Sequence, residues 1–134
     1  MANTPAYAAS PRYSATIAGT AETSLTVPVN SSSLWTAGSN GSKIEQITVQ
    51  AVTTSLTPTT STGLVYVFLY NGTTYSLFDV INITAVTASI TTAPFSITRT
   101  YNNLVVASGS SLAVSQSIAG NANILKVTAL GADF

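Results

Sequence analysis

Four carboxylates are the side chains best suited to acid–base chemistry in this sequence: Glu22, Glu45, Asp79 and Asp133. Two such groups placed across a glycosidic bond could serve as the acid and base of a glycosidase. Glu45 lies near Lys43 in a polar strand, and Asp133 is the penultimate residue, where we expect a loose chain end. A structural role is therefore the better interpretation of these carboxylates.

Other common catalytic constellations are excluded by composition, because the chain contains no His and no Cys. Ser-His-Asp and Cys-His arrangements, thiolate chemistry and zinc sites built on His or Cys cannot form. We therefore expect that the protein is not an enzyme, that it has no catalytic residue, and that it holds no cofactor and no metal.

Asp79 is the most informative charge, since it interrupts the apolar strand sequence LFDVINI. A carboxylate there must reach solvent, a backbone donor or a cation. Arg99 is the natural partner, because it ends an alternating face that begins with Phe95 and Ile97. Two interpretations stay open: a solvated Asp79 at a strand edge or bulge, or an Asp79–Arg99 ion pair that stabilises one subunit or crosses a subunit interface.

The balance of charged and uncharged residues favours assembly with other proteins. Only 6% of the 134 residues are charged and the net charge is zero, against about 25% charged in an ordinary domain. Phosphate recognition needs clustered Lys and Arg, so we expect no nucleic acid as a partner. Few charges also mean little self-repulsion between copies, which indicates a surface that partners cover.

Neither a membrane nor export is indicated. The longest apolar run, Leu64 to Tyr70, has the length of a strand and not the roughly 18 residues of a transmembrane helix. The first residues lack a basic segment followed by an apolar run, so we expect no secretory signal. A chain without Cys is compatible with synthesis in a reducing cytoplasm.

The chain divides into an extended N-terminal arm, residues 1–11, and a single domain, residues 12–134. The arm contains Pro5, Tyr7 and Pro11 and shows no periodicity, which predicts a segment that orders against a neighbouring molecule. These three residues are candidate contacts with a partner.

The sequence predicts an all-β domain, with about eight antiparallel strands and no helix longer than a turn. Lys43 to Thr54 alternates strictly, with Ile47, Val49 and Ala51 on one face. Leu64 to Tyr70 is followed directly by Asn71 and Gly72, a strong hairpin signal. Short strands separated by turn signals predict a single-domain β-sandwich, jelly-roll-like, with a closed barrel as the second choice.

Three aromatic residues, Tyr66, Phe68 and Tyr70, project from one face of the central strand, while Val65, Val67 and Leu69 project from the other. Three interpretations stay open. The strand is packed within its own subunit, or its aromatic face is covered by another subunit, or it forms a glycan-binding platform in which Trp35, Tyr70 and Tyr75 stack on sugar rings.

Several segments carry a family resemblance: WTAGSNGSKIEQI from Trp35, YVFLYNGTTYSLFDVI from Tyr66, NLVVASGSSLAVSQS from Asn103, and the closing ALGADF. Together with the proline-containing arm, they resemble the small head decoration proteins, or capsid auxiliary (cement) proteins, of tailed bacteriophages. The resemblance runs from about Trp35 to Phe134 and rests on strand and turn character.

This resemblance implies a structural virion protein whose partners are the major capsid protein and itself. Such a β-sandwich forms a homotrimer on the outer capsid surface after assembly in the host bacterial cytoplasm, often at local three-fold positions, and a terminal arm reaches neighbouring capsomers. The alternatives are a carbohydrate- or receptor-binding module of a phage fibre, and a tail, neck or baseplate subunit. On the decoration hypothesis the aromatic face, Asp79 and Arg99 belong to the oligomer interface.

Overall fold

Alternating apolar and polar residues build ten strands in the computed structural model, which describes residues 10–134. Pro5 and Tyr7 lie outside the described residues. The strands are β1 Ser10–Ala18, β2 Ser32–Thr36, β3 Ser42–Ala51, β4 Thr59–Thr60, β5 Gly63–Tyr70, β6 Tyr75–Ile83, β7 Val86–Thr87, β8 Ser96–Val106, β9 Ser111–Gln116 and β10 Leu125–Asp133, with one short 3₁₀ turn at Ala119–Asn121.

Eight of these strands form two four-stranded antiparallel sheets. The first sheet has the order β1-β10-β3-β8 and the second has the order β2-β9-β5-β6, while β4 and β7 form a separate two-stranded ribbon. The eight strands pair as nested partners: β1 with β10, β2 with β9, β3 with β8, and β5 with β6. A long antiparallel hairpin rolled into two sheets in this way is a jelly roll. The expected all-β, jelly-roll-like sandwich is confirmed.

The core lies between the sheets and follows the period-two pattern of the strands. Ile47, Val49 and Ala51 of β3 are buried, as their alternation predicts. Val49 pairs with Val127 of β10 and with Ile97 of β8, so one apolar row crosses three strands of the first sheet. The alternate residues of β3, among them Gln46, Thr48 and Gln50, lie on the outer face of that sheet.

The predicted β5–β6 hairpin is present, with a four-residue loop from Asn71 to Thr74. Tyr70 pairs with Tyr75 across the strand ends. Gly72 has φ of 96°, a conformation that favours glycine. The Asn71 side-chain oxygen accepts the backbone N–H groups of Thr73 and Thr74, which fixes the turn.

Both ends of the described chain lie in the first sheet. Ser10 and Pro11, which the sequence placed in the arm, begin β1 and pair with Asp133 and Ala132 of β10. Proline is tolerated there because β1 is an edge strand. The expectation of a loose chain end at Asp133 is wrong, since this residue pairs with β1 on one side and with Ser42 of β3 on the other.

The strand directions give the sandwich two different ends. Ala18, Ala51 and Leu125 pair in one row, so the long connections 19–31, 52–62, 84–95 and 117–124 leave from that end, called here the long-loop end. The opposite end, called the turn end, carries the short connections 37–41, 71–74 and 107–110. Each of these short connections contains a glycine with positive φ: Gly41, Gly72 and Gly109.

Candidate interaction surfaces

Asp79 and Arg99 join the two sheets at one open side of the sandwich. Asp79 lies on β6, an edge strand of the second sheet, and Arg99 lies on β8, an edge strand of the first. Arg99 donates from Nε and Nη2 to the two Asp79 oxygens at 3.2 and 3.1 Å. It also donates to the Val80 carbonyl at 3.0 Å. The ion-pair alternative is therefore realised within one chain, while a role at a subunit interface stays a prediction.

Tyr101 completes this cluster, because its hydroxyl donates to Asp79 Oδ2 at 2.8 Å. The pKa of Tyr101 is raised well above its ordinary value. The largest cause is burial of the ring, and the next is the hydrogen bond to the Asp79 carboxylate. The phenol therefore stays a proton donor across the ordinary pH range. The Tyr101 ring also contacts Phe78, with centroids 5.6 Å apart.

A second cluster closes the opposite side, where Arg12 of β1 lies beside Trp35 of β2. The Arg12 guanidinium carbon is 3.8 Å from the Trp35 ring centroid, a cation–π contact. Arg12 donates to the two Asp133 oxygens at 2.9 and 3.0 Å, and to the Thr36 carbonyl at 2.7 Å. Each of the two arginines thus connects the first sheet to the second at its own side.

Asp133 accepts hydrogen bonds from Ser42 as well as from Arg12. The backbone N–H of Gly38 donates to the Ser42 hydroxyl oxygen at 3.0 Å. The hydrogen bond from Arg12, and then that from Ser42, lower the pKa of Asp133. Sequence reasoning missed this cluster, because Arg12 and Asp133 are 121 positions apart and no local pattern links them.

Trp35 is 1% exposed and belongs to the core. Its predicted use as a sugar-stacking residue is wrong, since neither ring face is open: the core takes one part of the ring and Arg12 covers the other. Of the three stacking candidates, Tyr70 and Tyr75 remain at the surface, each partly buried.

The remaining carboxylates also have local partners. Glu22 accepts the backbone N–H groups of Thr23, Val29 and Asn30 at 3.0 to 3.1 Å. Glu45 lies 3.3 Å from the Lys43 ammonium at the surface. Across residues 10–134, no group of three His, Cys, Asp or Glu side chains is placed to hold a metal ion.

The outer face of the second sheet carries the aromatic surface, defined here as Tyr66, Phe68, Tyr70 and Tyr75. The prediction that the three β5 aromatics lie opposite Val65 and Val67 is confirmed, because these valines belong to the core between the sheets and the aromatics do not. Phe68 is fully buried. Its ring lies 6.4 Å from Tyr66 and 6.1 Å, edge-on, from Tyr75, on which Tyr70 stacks at 4.3 Å.

The edge of this sheet adds exposed apolar area. Leu77 and Phe78 of β6 are 39% and 41% exposed. A β-bulge in the β5–β6 pairing occurs beside Phe68, so Phe78 is the extra residue that turns toward the open side and Tyr101. The aromatic surface and this edge therefore form one apolar region ending at the Asp79–Arg99 cluster.

A hollow of about 270 Å³ opens at the turn end next to Tyr70. Its walls come from the hairpin loop at Asn71 and Thr74 and from Val105, Val106 and Ala107 at the end of β8. The hollow combines one aromatic ring, several aliphatic groups and polar loop atoms. A sugar ring could contact such a combination.

Comparisons with protein families, with curated proteins and with solved structures found no match. The fold, the aromatic surface and the placement of charges are the features of the chain that bear on its function. No helix within residues 10–134 is long and apolar enough to cross a membrane.

Proposed function

We propose that this chain is a structural subunit of a bacteriophage virion: a head decoration (cement) protein that binds the outer surface of the capsid and stabilises it. Its partners are the major capsid protein and further copies of itself, with a homotrimer as the expected state. It is made in the host bacterial cytoplasm and ends on the capsid surface. The observation that carries the proposal is the aromatic surface with its exposed edge at Leu77 and Phe78.

The composition of this region is that of a protein contact. Protein interfaces are enriched in Tyr, Phe and Trp and depleted in Lys, Glu and Asp at their centres. Tyr66, Tyr70 and Tyr75 are only partly buried, so their rings and hydroxyls are available to a partner. A contiguous apolar patch on a folded domain marks a contact surface more often than chance.

The placement of charges favours a partner that is not a nucleic acid. Arg12, Arg99 and Lys43 lie in ion pairs, and Lys126 is the remaining basic side chain. A phosphate backbone is bound by several clustered and available cations. The same ion pairs support a structural role for Asp79 and Asp133.

The jelly roll adds modest support, since viral capsid proteins and lectins both use this architecture. A fold alone does not assign a function. The resemblance of the segments between Trp35 and Phe134 to decoration proteins favours the capsid over the lectin alternative. On this proposal the arm that includes Pro5 and Tyr7 reaches a neighbouring capsomer.

The test is co-sedimentation of the purified chain with capsids of the encoding bacteriophage assembled without it. We expect saturable binding at a fixed ratio and a higher temperature of capsid rupture. A chain that does not bind these capsids would overturn the decoration proposal. Native mass from light scattering after size exclusion tests the trimer separately.

Variants at the aromatic surface and at the adjoining β6 edge identify the contact. Tyr66→Ser combined with Phe78→Ser removes two partly exposed rings and should reduce the native mass to that of a smaller species. Tyr13→Ser is the matched control, because Tyr13 is 71% exposed on the first sheet, away from the aromatic surface. Equal effects of the two substitutions would exclude the aromatic surface as the trimer contact.

The hollow beside Tyr70 favours one alternative, a carbohydrate- or receptor-binding module of a phage fibre. A glycan array with the unmodified chain and with Tyr70→Ala distinguishes the two functions. Glycan binding that requires Tyr70, without capsid binding, would replace the decoration proposal.

A further inference from the structure

The long-loop end carries the same short turn three times. Each turn has the sequence Ser–aliphatic–Thr: Ser24-Leu25-Thr26, Ser55-Leu56-Thr57 and Ser89-Ile90-Thr91. In each, the Ser hydroxyl oxygen accepts the backbone N–H of the Thr, at 3.2 to 3.3 Å, and the two hydroxyls lie 3.2 to 3.4 Å apart. The polar groups are therefore satisfied within the turn, and the aliphatic side chain points outward.

Two of these aliphatic side chains are far more exposed than is usual for their type. Leu56 is 78% exposed and Ile90 is 85% exposed, while Leu25 is 42% exposed. Leu and Ile are among the residues most often buried in folded proteins. Turns stiffened by hydrogen bonds also lose little conformational entropy when a partner covers them. Leu56 and Ile90 are thus exposed apolar projections on hydrogen-bonded turns.

Two hollows lie directly beside these projections. One, of about 430 Å³, lies against Leu56, Ile90, Ala93 and Pro94. The other, of about 250 Å³, lies against Val52, Leu56 and Pro94. Leu56 and Pro94 border both hollows, so the two shallow hollows lie side by side, next to the projecting Leu56 and Ile90.

This surface is uncharged. Residues 52–58 and 88–94 contain no charged and no aromatic residue. Anionic membranes and nucleic acids are recognised through basic residues, and sugars or single-stranded bases are stacked on aromatic rings. A partner for this surface is therefore itself apolar and uncharged.

We propose that the partner is a second copy of this chain, bound end to end about a two-fold axis. In such a contact the same patch meets itself, so each projection needs a recess on the same patch. Leu56 and Ile90 of one copy enter the hollows beside Pro94 of the other copy, and the reverse contact is identical. The absence of charge in both segments removes the like-charge repulsion that a self-contact would otherwise bring.

This end-to-end contact is independent of the proposed capsid role. It uses the long-loop end, whereas the proposed trimer contact uses the outer face of the second sheet. The two contacts can exist together, and each can fail without affecting the other.

The test is sedimentation equilibrium of the full chain over a wide concentration range, with Leu56→Ser combined with Ile90→Ser as the variant. We expect the double substitution to lower the native mass to that of the assembly without the end-to-end contact, whatever assembly the aromatic surface forms. It should raise the dissociation constant of the end-to-end contact about 100-fold or more. Sodium sulfate should strengthen the association of the unmodified chain, because it strengthens apolar burial.

Leu25→Ser is the matched control. It makes the same chemical change in the same kind of turn at the same end, but Leu25 borders neither hollow. We expect it to leave the mass unchanged, and urea unfolding should show that all variants stay folded. The proposal is overturned if the double variant keeps the native mass of the unmodified chain, or if Leu25→Ser disrupts association equally. An unmodified chain that shows no two-fold association at the highest concentration also overturns it.

Discussion

Arg99 of β8 reaches across the open side of the sandwich to Asp79 of β6, so a single bidentate ion pair connects the edge strands of the two sheets. Sheets in a sandwich are otherwise held by apolar packing, which is not directional. Planar, paired hydrogen bonds add a defined geometry. Arg12 makes the corresponding connection at the opposite side.

The Asp79–Arg99 pair should contribute measurably to stability. Asp79→Asn and Arg99→Gln should each lower the free energy of unfolding by about 1–2 kcal/mol, because the pair is partly exposed and hydrogen-bonded to further groups. Urea unfolding monitored by fluorescence measures this change. Tyr13→Ser, at an exposed site without such bonds, is the control.

The charge-swapped double variant, Asp79→Arg with Arg99→Asp, tests whether the two residues act as a pair. We expect it to recover only part of the loss of the charge-reversed single variants. Tyr101 donates to Asp79, and the Val80 carbonyl accepts from Arg99, so the swap mismatches both of these bonds. If the swapped variant is no more stable than Asp79→Arg or Arg99→Asp alone, and assembles no better, the pairing is contradicted.

Acid should weaken the Arg12 side of the sandwich. Because the pKa of Asp133 is lowered in the fold, the ionised carboxylate stabilises the folded state fully above the unfolded-state value, about 3.9. That stabilisation is lost as the pH falls through the lower folded-state pKa. Unfolding free energies measured from pH 6 downward should therefore decline less steeply in Asp133→Asn than in the unmodified chain. Parallel declines in the two proteins would show that Asp133 does not link stability to pH.

Alkaline pH should weaken the opposite side of the sandwich, where Tyr101 contacts Asp79. Its pKa is raised in the fold, mainly by burial, so the neutral phenol favours the folded state. The corresponding stabilisation is constant below the unfolded-state pKa of about 10 and is reduced as the pH rises above it. Tyr101→Phe should remove this part of the alkaline dependence while retaining the ring contact with Phe78. Identical alkaline profiles would exclude the effect.

Periodicity made the strands of this fold predictable, whereas the cluster of Arg12, Asp133 and Trp35 had no signal in the sequence. The alternation of Ile47, Val49 and Ala51 specifies a buried face because side chains on a strand repeat every two residues. The strong local turn signal at Asn71 and Gly72 likewise located the β5–β6 hairpin. Local patterns of this kind depend on neighbours in sequence, and both were confirmed.

Contacts between residues that are far apart in the sequence were harder to predict from it. Asp79 drew attention because a charge in an apolar strand needs a partner, and Arg99 lies only 20 positions away. Nothing local links Arg12 to Asp133 or to Trp35. Its proximity to Asp133 follows from the pairing of β1 with β10, and its proximity to Trp35 follows from the contact of β1 with β2 of the other sheet. Leu56 and Ile90 lie in polar loops without periodicity, so their shared surface emerges only when the topology places both loops at one end.

Residues 1–9 should be removable without loss of stability of the sandwich, whose first strand begins at Ser10. Deletion of residues 1–9 keeps every β1–β10 pair that the structure describes within residues 10–134, from Ser10 with Asp133 to Ala18 with Leu125. The free energy of unfolding and the native mass should therefore be unchanged within experimental error. Capsid binding should be lost, since the proposed anchor includes Pro5 and Tyr7.

A longer deletion, residues 1–12, is the matched comparison, because it also removes Arg12 with its ion pair to Asp133 and its contact with Trp35. It should lower the free energy of unfolding, because the cation–π contact and the charged hydrogen bonds of Arg12 are lost. Urea unfolding and co-sedimentation with capsids measure the two properties separately. Capsid binding that survives the shorter deletion would refute the anchor role and leave the aromatic surface as the candidate capsid contact.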